Sequence, residues 1–152
     1  MDNSLASAGT YALLLSLFKP AHIRVGALGR YVLRPGYYVY VGSAMGPGGL
    51  RGRVGHHLKL SLKPHWHIDY LRQHAEIEQI WYTYSTRREH EWAAAFQSLP
   101  GSSIPIPGFG SSDCHCQAHL IYFERVPELE VFYRSFACLP FTMVPIPRTS
   151  HP

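Results

Sequence analysis

The chain has 152 residues, of which 46% are hydrophobic and 16% are charged, and its formal net charge is +4. This length and balance are typical of a globular domain with its own core, and they exclude a disordered chain. The modest basic excess is compatible with a nucleic-acid partner but does not require one.

Targeting signals and disulfides are not expected. No apolar stretch approaches the roughly 18 residues of a membrane helix, and Met1-Asp2-Asn3-Ser4 lacks the basic start of a secretory signal. The three cysteines, an odd number, do not form a disulfide framework. We therefore expect a cytoplasmic protein with no membrane partner.

The N-terminal part is predicted to consist of strands. The apolar run from Thr10 to Phe18 has the length of a strand, and two β-rich segments flank Gly26-Ala27-Leu28-Gly29 as in a hairpin. Tyr37 to Val41 is a further strand, and its alternation places Tyr38 and Tyr40 on the same face. Together these segments predict an antiparallel meander.

Helices and strands alternate in the rest of the chain. The predicted elements are a helix from Leu50 to Leu60, a short helix from Pro64 through Leu71, a strand from Glu76 to Tyr84, a helix from Thr86 to Phe96 and a strand from Ala118 to Phe123. This mixture indicates an α+β fold with a small central antiparallel sheet flanked by helices. We assign it to residues 1–124, followed by a partly irregular C-terminal extension over residues 125–152.

The first helix carries two polar residues beside its apolar stripe. Arg53 and His57 lie one turn apart, at the border of the Leu50, Val54 and Leu58 face, where a half-sheltered charge acts strongly. A guanidinium in that place can grip a phosphate, and an imidazole can exchange a proton. The alternative is an ordinary basic amphipathic helix with an extended arginine.

The third helix carries Glu89 on its apolar face. Glu89 shares that face with Trp92 and Phe96, whereas Glu91 points away. A sheltered carboxylate at a helix start can bind a divalent cation such as Mg²⁺. The alternative is a capping box, because Thr86 and Glu89 have the spacing of that motif.

Soft metal ligands cluster near the last strand. Cys114, Cys116 and His119 are candidates for a structural zinc site, with His65 or His67 as a fourth ligand. The cysteine spacing is shorter than in usual zinc sites. The alternative is therefore a pair of small buried thiols.

Taken together, these motifs resemble those of the GIY-YIG nuclease family. Gly9-Thr10-Tyr11 and Tyr40-Val41-Gly42 correspond to the two name-giving motifs. Leu50, Arg53 and His57 match the spacing of the family's helix motif, and Glu89 matches its metal-binding glutamate.

Longer stretches are similar to a prokaryotic branch of that family, which sometimes occurs fused to a base-excision DNA glycosylase. They are residues 36–44, residues 65–71 and residues 107–114, and the similarity as a whole covers about residues 9–123. The hairpin separates the two motifs more widely than in typical members. The family's late asparagine has no clear counterpart, with Asp113 only a loose candidate.

The resemblance implies hydrolysis of a DNA phosphodiester with one Mg²⁺ or Mn²⁺ ion. Tyr11 or Tyr40 would help to deprotonate the attacking water, and His57 would assist proton transfer or hold the tyrosine. Arg53 would stabilise the phosphate charge, and Glu89 would hold the metal.

Partners follow from the same resemblance. DNA is the expected substrate, with Arg51, Lys59 and Lys63 adding phosphate contacts. A DNA-repair protein is a further possible partner. The alternative function is a non-catalytic nucleic-acid-binding module of the same fold, carrying the structural zinc site.

Overall fold

The computed structural model describes residues 8–60, 63–84, 88–110, 118–127 and 139–140. Its strands, in chain order, are β1 Gly9–Leu17, β2 Ala21–Arg24, β3 Arg30–Leu33, β4 Gly36–Ala44, β5 Glu76–Tyr84, β6 Ser102–Ser103, β7 Leu120–Phe123 and β8 Leu139–Pro140. Its helices are α1 Gly49–Leu58, α2 His67–Arg72 and α3 Glu89–Gln97, and a 3₁₀ turn spans Gly26–Leu28.

A six-stranded antiparallel sheet forms the centre of the molecule, with the strand order β6-β7-β4-β1-β5-β8. Helices pack on both of its faces, which confirms the predicted α+β fold. The predicted elements are present, and α3 begins at Glu89. Strand β8 lies in the C-terminal extension and pairs with β5 at one edge of the sheet.

The predicted meander is wrong, because β1 does not pair with the strand that follows it. Strand β1 lies between β4 and β5, while β2 and β3 form a separate two-stranded sheet. All nine residues of β1 are buried, so this strand needs long partners on both edges. The nine-residue strands β4 and β5 provide them, whereas β2 and β3 span only four residues each.

The two faces of the central sheet pack against different elements. One face carries α3, with Trp92 and Phe96 packed against Ala12, Leu14 and Val41. The other face carries α1, α2 and the β2–β3 hairpin, together with Tyr11 of β1 and Tyr38 and Tyr40 of β4. We call them the α3 face and the α1/α2 face.

Arg72 of α2 binds the C-terminal end of α1. Arg72 donates from Nε to the carbonyl of His57 at 3.0 Å and from Nη2 to that of Leu58 at 3.4 Å. These carbonyls lie at the C-terminal end of α1, where a cation is favourable and the last carbonyls need partners. None of the helices in the described segments is long and apolar enough to cross a membrane.

Candidate functional site

The two glycine/tyrosine motifs meet directly in the sheet. Tyr11 on β1 is the register partner of Gly42 on β4. A Cβ atom at Gly42 would lie 2.5 Å from the Tyr11 hydroxyl oxygen and 2.6 Å from Cζ, so only glycine leaves room for this ring. At Gly9 a Cβ atom would collide with the backbone oxygen of Thr83 on β5. Both glycines permit close approach between strands.

The Tyr11 hydroxyl contacts His57 in the core. Its oxygen lies 2.6 Å from Nε2 of His57. His57 is only 1% exposed, so the expected half-sheltered position at the helix border is wrong for this residue. The rings of Tyr40 and Trp66 come from other elements and cover it, with centroids 6.0 and 5.9 Å from the imidazole.

Burial sets the protonation state of these groups. It lowers the pKa of His57 to about 3, and Asp69 opposes that shift. The imidazole is therefore neutral at pH 7. Burial also raises the pKa of Tyr11 and of Tyr40, and in both residues the positive charge of Arg53 opposes the change. The ligand-free site thus holds two neutral phenols beside a neutral imidazole.

Arg53 is held by an aromatic ring and a carbonyl. Its Cζ atom lies 4.3 Å from the centroid of the Trp66 ring, and Nη1 donates to the carbonyl of Ser43 at 3.1 Å. The side chain is half-buried, as expected for this residue. Stacking on Trp66 orients the guanidinium and leaves donors for an anion.

Asp69 holds the Trp66 segment in place. Its carboxylate accepts from the backbone amides of His65 and Trp66 at 2.8 and 3.0 Å, and it contacts His56 Nε2 at 3.0 Å. His56 in turn meets the Trp66 ring edge-on, with centroids 4.7 Å apart. Burial alone would raise the pKa of Asp69, but these hydrogen bonds outweigh it and the pKa is lowered.

Glu89 reaches the site from the opposite face of the sheet. It is the first residue of α3, and Thr10 Oγ1 accepts from the backbone amide of Arg88 at 2.7 Å just before it. Its negative charge helps to raise the pKa of both Tyr11 and Tyr40, so the carboxylate acts electrostatically on both phenols.

The predicted capping box does not fit this helix start. Such a box needs the glutamate at the third helical position, whereas Glu89 is the first and Arg88 is the N-cap. Thr86, the other half of the proposed box, lies outside the described residues.

A loop and a histidine border the site on the β7 side. His119 lies immediately before β7 and is 3% exposed, with Nδ1 3.8 Å from Oε2 of Glu89. Its backbone amide donates to the carbonyl of Phe109 at 2.7 Å. The Phe109 ring meets Tyr40 edge-on, and the amide of Gly110 donates to Nδ1 of His67 at 2.8 Å.

The predicted zinc site lies mostly outside the described segments. Cys114 and Cys116 are not among the described residues, so the zinc site stays a prediction. His119 is described, and it lies beside Glu89. Within the described segments, no group of three or more His, Cys, Asp or Glu side chains is arranged to hold a metal ion.

The predicted phosphate-contacting residues lie along and after α1. Arg51 is half-buried in the first turn of the helix, while Lys59 and Lys63 are exposed between α1 and α2. Their contact with DNA remains a prediction.

Three residues of the site were not assigned a role from the sequence. Asp69 and Trp66 support Arg53, and Thr10 anchors the start of α3. A signal for Asp69 was present, because an acidic residue three positions after the residue that precedes a helix can accept backbone amides at the helix start. The role of Thr10 depends on tertiary pairing and has no local signal.

These residues define an α+β domain with a polar aromatic site at one end of its central sheet. The chain belongs to the family described as domain of unknown function DUF123, whose model matches residues 10–137. No curated protein and no solved structure matches the chain. The matched range includes every residue of the site from Thr10 to His119.

Proposed function

We propose that this protein is a metal-dependent DNA endonuclease of the GIY-YIG type that hydrolyses phosphodiester bonds, acting in DNA repair. The observation that carries the proposal is the contact between Tyr11 and His57, made where Gly42 leaves space for the ring. Arg53 and Glu89 act electrostatically on the same phenols. We assign the role of base to a tyrosine, phosphate binding to Arg53 and metal binding to Glu89, and the charges of the last two act on the same phenols.

The proton transfer would involve Tyr11 and His57. A phenol is a weak base while it is protonated, and burial strengthens that limitation by raising its pKa. Arg53 offsets part of this cost, and Nε2 of the neutral His57 imidazole lies within hydrogen-bond distance of the phenol, although its lowered pKa makes it a weak base. The further positive charge that a phenolate needs would come from a divalent cation held by Glu89.

The residues present fit a single Mg²⁺ or Mn²⁺ ion. Mg²⁺ keeps several waters and uses one or two carboxylates together with substrate phosphates. Glu89 supplies one such carboxylate, whose charge acts on Tyr11 and Tyr40. When bound there, the ion would stabilise charge on the leaving oxygen.

The test is cleavage of branched or damaged DNA by the full chain with Mg²⁺ or Mn²⁺. Arg53→Ala and Glu89→Gln are expected to lower the rate at least about a hundredfold, because each removes a charge that the transition state needs. Glu91→Gln is the matched control, since Glu91 is exposed on the same helix. Arg53→Lys keeps the charge but loses the planar fork, so it should rescue only part of the rate. Full activity in both loss variants would contradict the mechanism.

A second candidate is a non-catalytic nucleic-acid-binding module with the same fold. The shifted pKa values favour it, because burial keeps both phenols protonated and makes the imidazole of His57 a weak base. Salt-sensitive DNA binding without cleavage under any metal condition would select this candidate. Stoichiometric zinc in the purified protein would support the predicted zinc site at Cys114, Cys116 and His119.

A further inference from the structure

The β2–β3 hairpin presents a basic outer face. His22 and Arg24 on β2 and Arg30 and Val32 on β3 are all exposed. Arg24 lies directly opposite Arg30 in the antiparallel register. Two like charges directly opposite each other repel and destabilise a strand pair. The packing of the hairpin gives no reason for this unfavourable arrangement.

The sequence around the hairpin contains basic residues but no acidic ones. Between residues 3 and 68 the chain has no Asp or Glu and eight Lys or Arg residues, namely Lys19, Arg24, Arg30, Arg34, Arg51, Arg53, Lys59 and Lys63. The whole chain has 14 basic and 10 acidic residues, so the positive excess is concentrated in this segment. Such asymmetry attracts polyanions.

The hairpin lies on the same side of the molecule as the site. Its inner residues Ile23 and Leu33 belong to the core cluster that includes Tyr11 and Tyr40. At its turn, a Cβ atom on Gly108 would lie 3.3 Å from Leu28, so the turn touches the loop that leads to Phe109 against Tyr40. The hairpin and the site therefore lie on the same α1/α2 side of the molecule.

We propose that the outer face of the β2–β3 hairpin is a second DNA-docking surface, on which Arg24 and Arg30 bind backbone phosphates of a duplex beyond the cleaved bond. The proposal rests on the proposed function in taking DNA as the substrate. Guanidinium groups bind phosphates by paired hydrogen bonds, and two neighbouring arginines suit a repeating polyphosphate. DNA bound there relieves the repulsion between the two arginines.

The test is binding of a short fluorescent DNA duplex by the full chain over a series of salt concentrations, with Glu89→Gln present in every variant to prevent cleavage. In the double variant Arg24→Ser/Arg30→Ser, the slope of log K against log salt should become shallower by about 2, because two phosphate contacts are lost. The same variant should melt at an equal or higher temperature, because the like-charge pair is removed. If the two arginines had only a structural role, the double variant would instead melt at a lower temperature.

Two controls separate charge from position. Arg125→Ser removes one exposed charge from the loop after β7, and Val32→Ser changes the same hairpin face without changing its charge. Both should keep the affinity of the parent protein.

Three outcomes would overturn the proposal. They are an unchanged salt slope in the double variant, an equal loss of affinity in the controls, and displacement of the duplex by poly-glutamate at equal charge, which would point to an acidic protein partner. Because all variants carry Glu89→Gln, the binding result can be interpreted even if the protein proves not to be a nuclease. Cleavage by the parent protein together with an unchanged double variant would reject only the docking surface.

Discussion

The two faces of the central sheet use the same strands for different purposes. On the α3 face, alternate residues of β1 and β4 place Ala12, Leu14 and Val41 in an apolar layer under Trp92 and Phe96. On the α1/α2 face, the intervening positions include Tyr11 and Tyr40, which meet His57 and Arg53. Because side chains alternate along a strand, a dry core and a polar site lie one residue apart.

The difference shows where stability and chemistry are separated in this fold. The α3 face has large apolar side chains that contribute mainly through burial. The α1/α2 face accepts buried polar groups and shifted pKa values, which cost stability. Substitutions on the two faces should therefore have different consequences.

The largest expected effect is on the α3 face. Trp92→Ala should lower the free energy of unfolding by about 3–5 kcal/mol, because Trp92 is fully buried and its removal leaves a cavity. Trp66→Ala, on the other face, should lower it less, since Trp66 is only half-buried, but it should reduce DNA cleavage about a hundredfold by releasing Arg53. Urea unfolding and the cleavage assay measure the two effects. If the Trp92 and Trp66 variants lost stability and activity in the same proportion, the separation of the two faces would be contradicted.

A second prediction concerns the space beneath Tyr11. Gly42→Ala should destabilise the protein by about 1–3 kcal/mol, because its Cβ atom would overlap the Tyr11 ring, 2.5 Å from the hydroxyl oxygen. The matched control is Gly52→Ala within α1, where the added Cβ meets nothing nearer than 4.0 Å. That substitution should stabilise the helix by up to about 1 kcal/mol. Urea unfolding of both variants gives the comparison, and a neutral Gly42→Ala would show that Tyr11 moves aside freely.

Much of the fold could be predicted from local patterns. The apolar run of β1 and the alternation of β4 identified strands, and the spacing of Leu50 and Val54 identified the buried stripe of α1. The pairing of β1 with β4 could not be predicted, because the hairpin between them has its own apolar side and forms a separate sheet. Pairing depends on the lengths and burial of distant strands.

The site was predictable only as a set of residue types. The helical spacing placed His57 at the border of the apolar stripe, but its burial depends on the Tyr40 and Trp66 rings from other elements. Likewise, Thr10 belongs to a recognisable tripeptide, yet its bond to the amide of Arg88 joins residues far apart in the chain. Tertiary contacts of this kind leave no periodic signal.

The third prediction uses pH to separate His57 from the apolar layer. Its pKa is about 3 in the folded protein and near 6.5 when exposed, so the unfolded chain binds more protons between these values. Stability should therefore fall as the pH falls, by about 1.4 kcal/mol per pH unit from this residue alone. His67 and His119 add to the slope, because burial also lowers the pKa of each.

The measurement is urea unfolding between about pH 7 and pH 5, above the range in which Asp69 contributes strongly. His57→Phe should show a shallower dependence on pH than the parent protein. His22→Gln is the control, since His22 is exposed on the hairpin and should leave the dependence unchanged. Identical slopes in the parent protein and His57→Phe would mean that His57 is protonated equally in both states.

The smallest expected effect tests how the two faces are connected. Thr10 lies on β1 beside Tyr11, yet its hydroxyl binds the amide at the start of α3, directly before Glu89. Thr10→Val keeps the shape of the side chain and removes the acceptor, so the unfolding free energy should fall by about 1 kcal/mol. The start of α3 should also shift, and Mn²⁺ binding measured by calorimetry should weaken. Thr10→Ser keeps the acceptor and should retain Mn²⁺ affinity. If the serine variant lost as much affinity as the valine variant, the methyl group rather than the hydroxyl would be what positions Glu89.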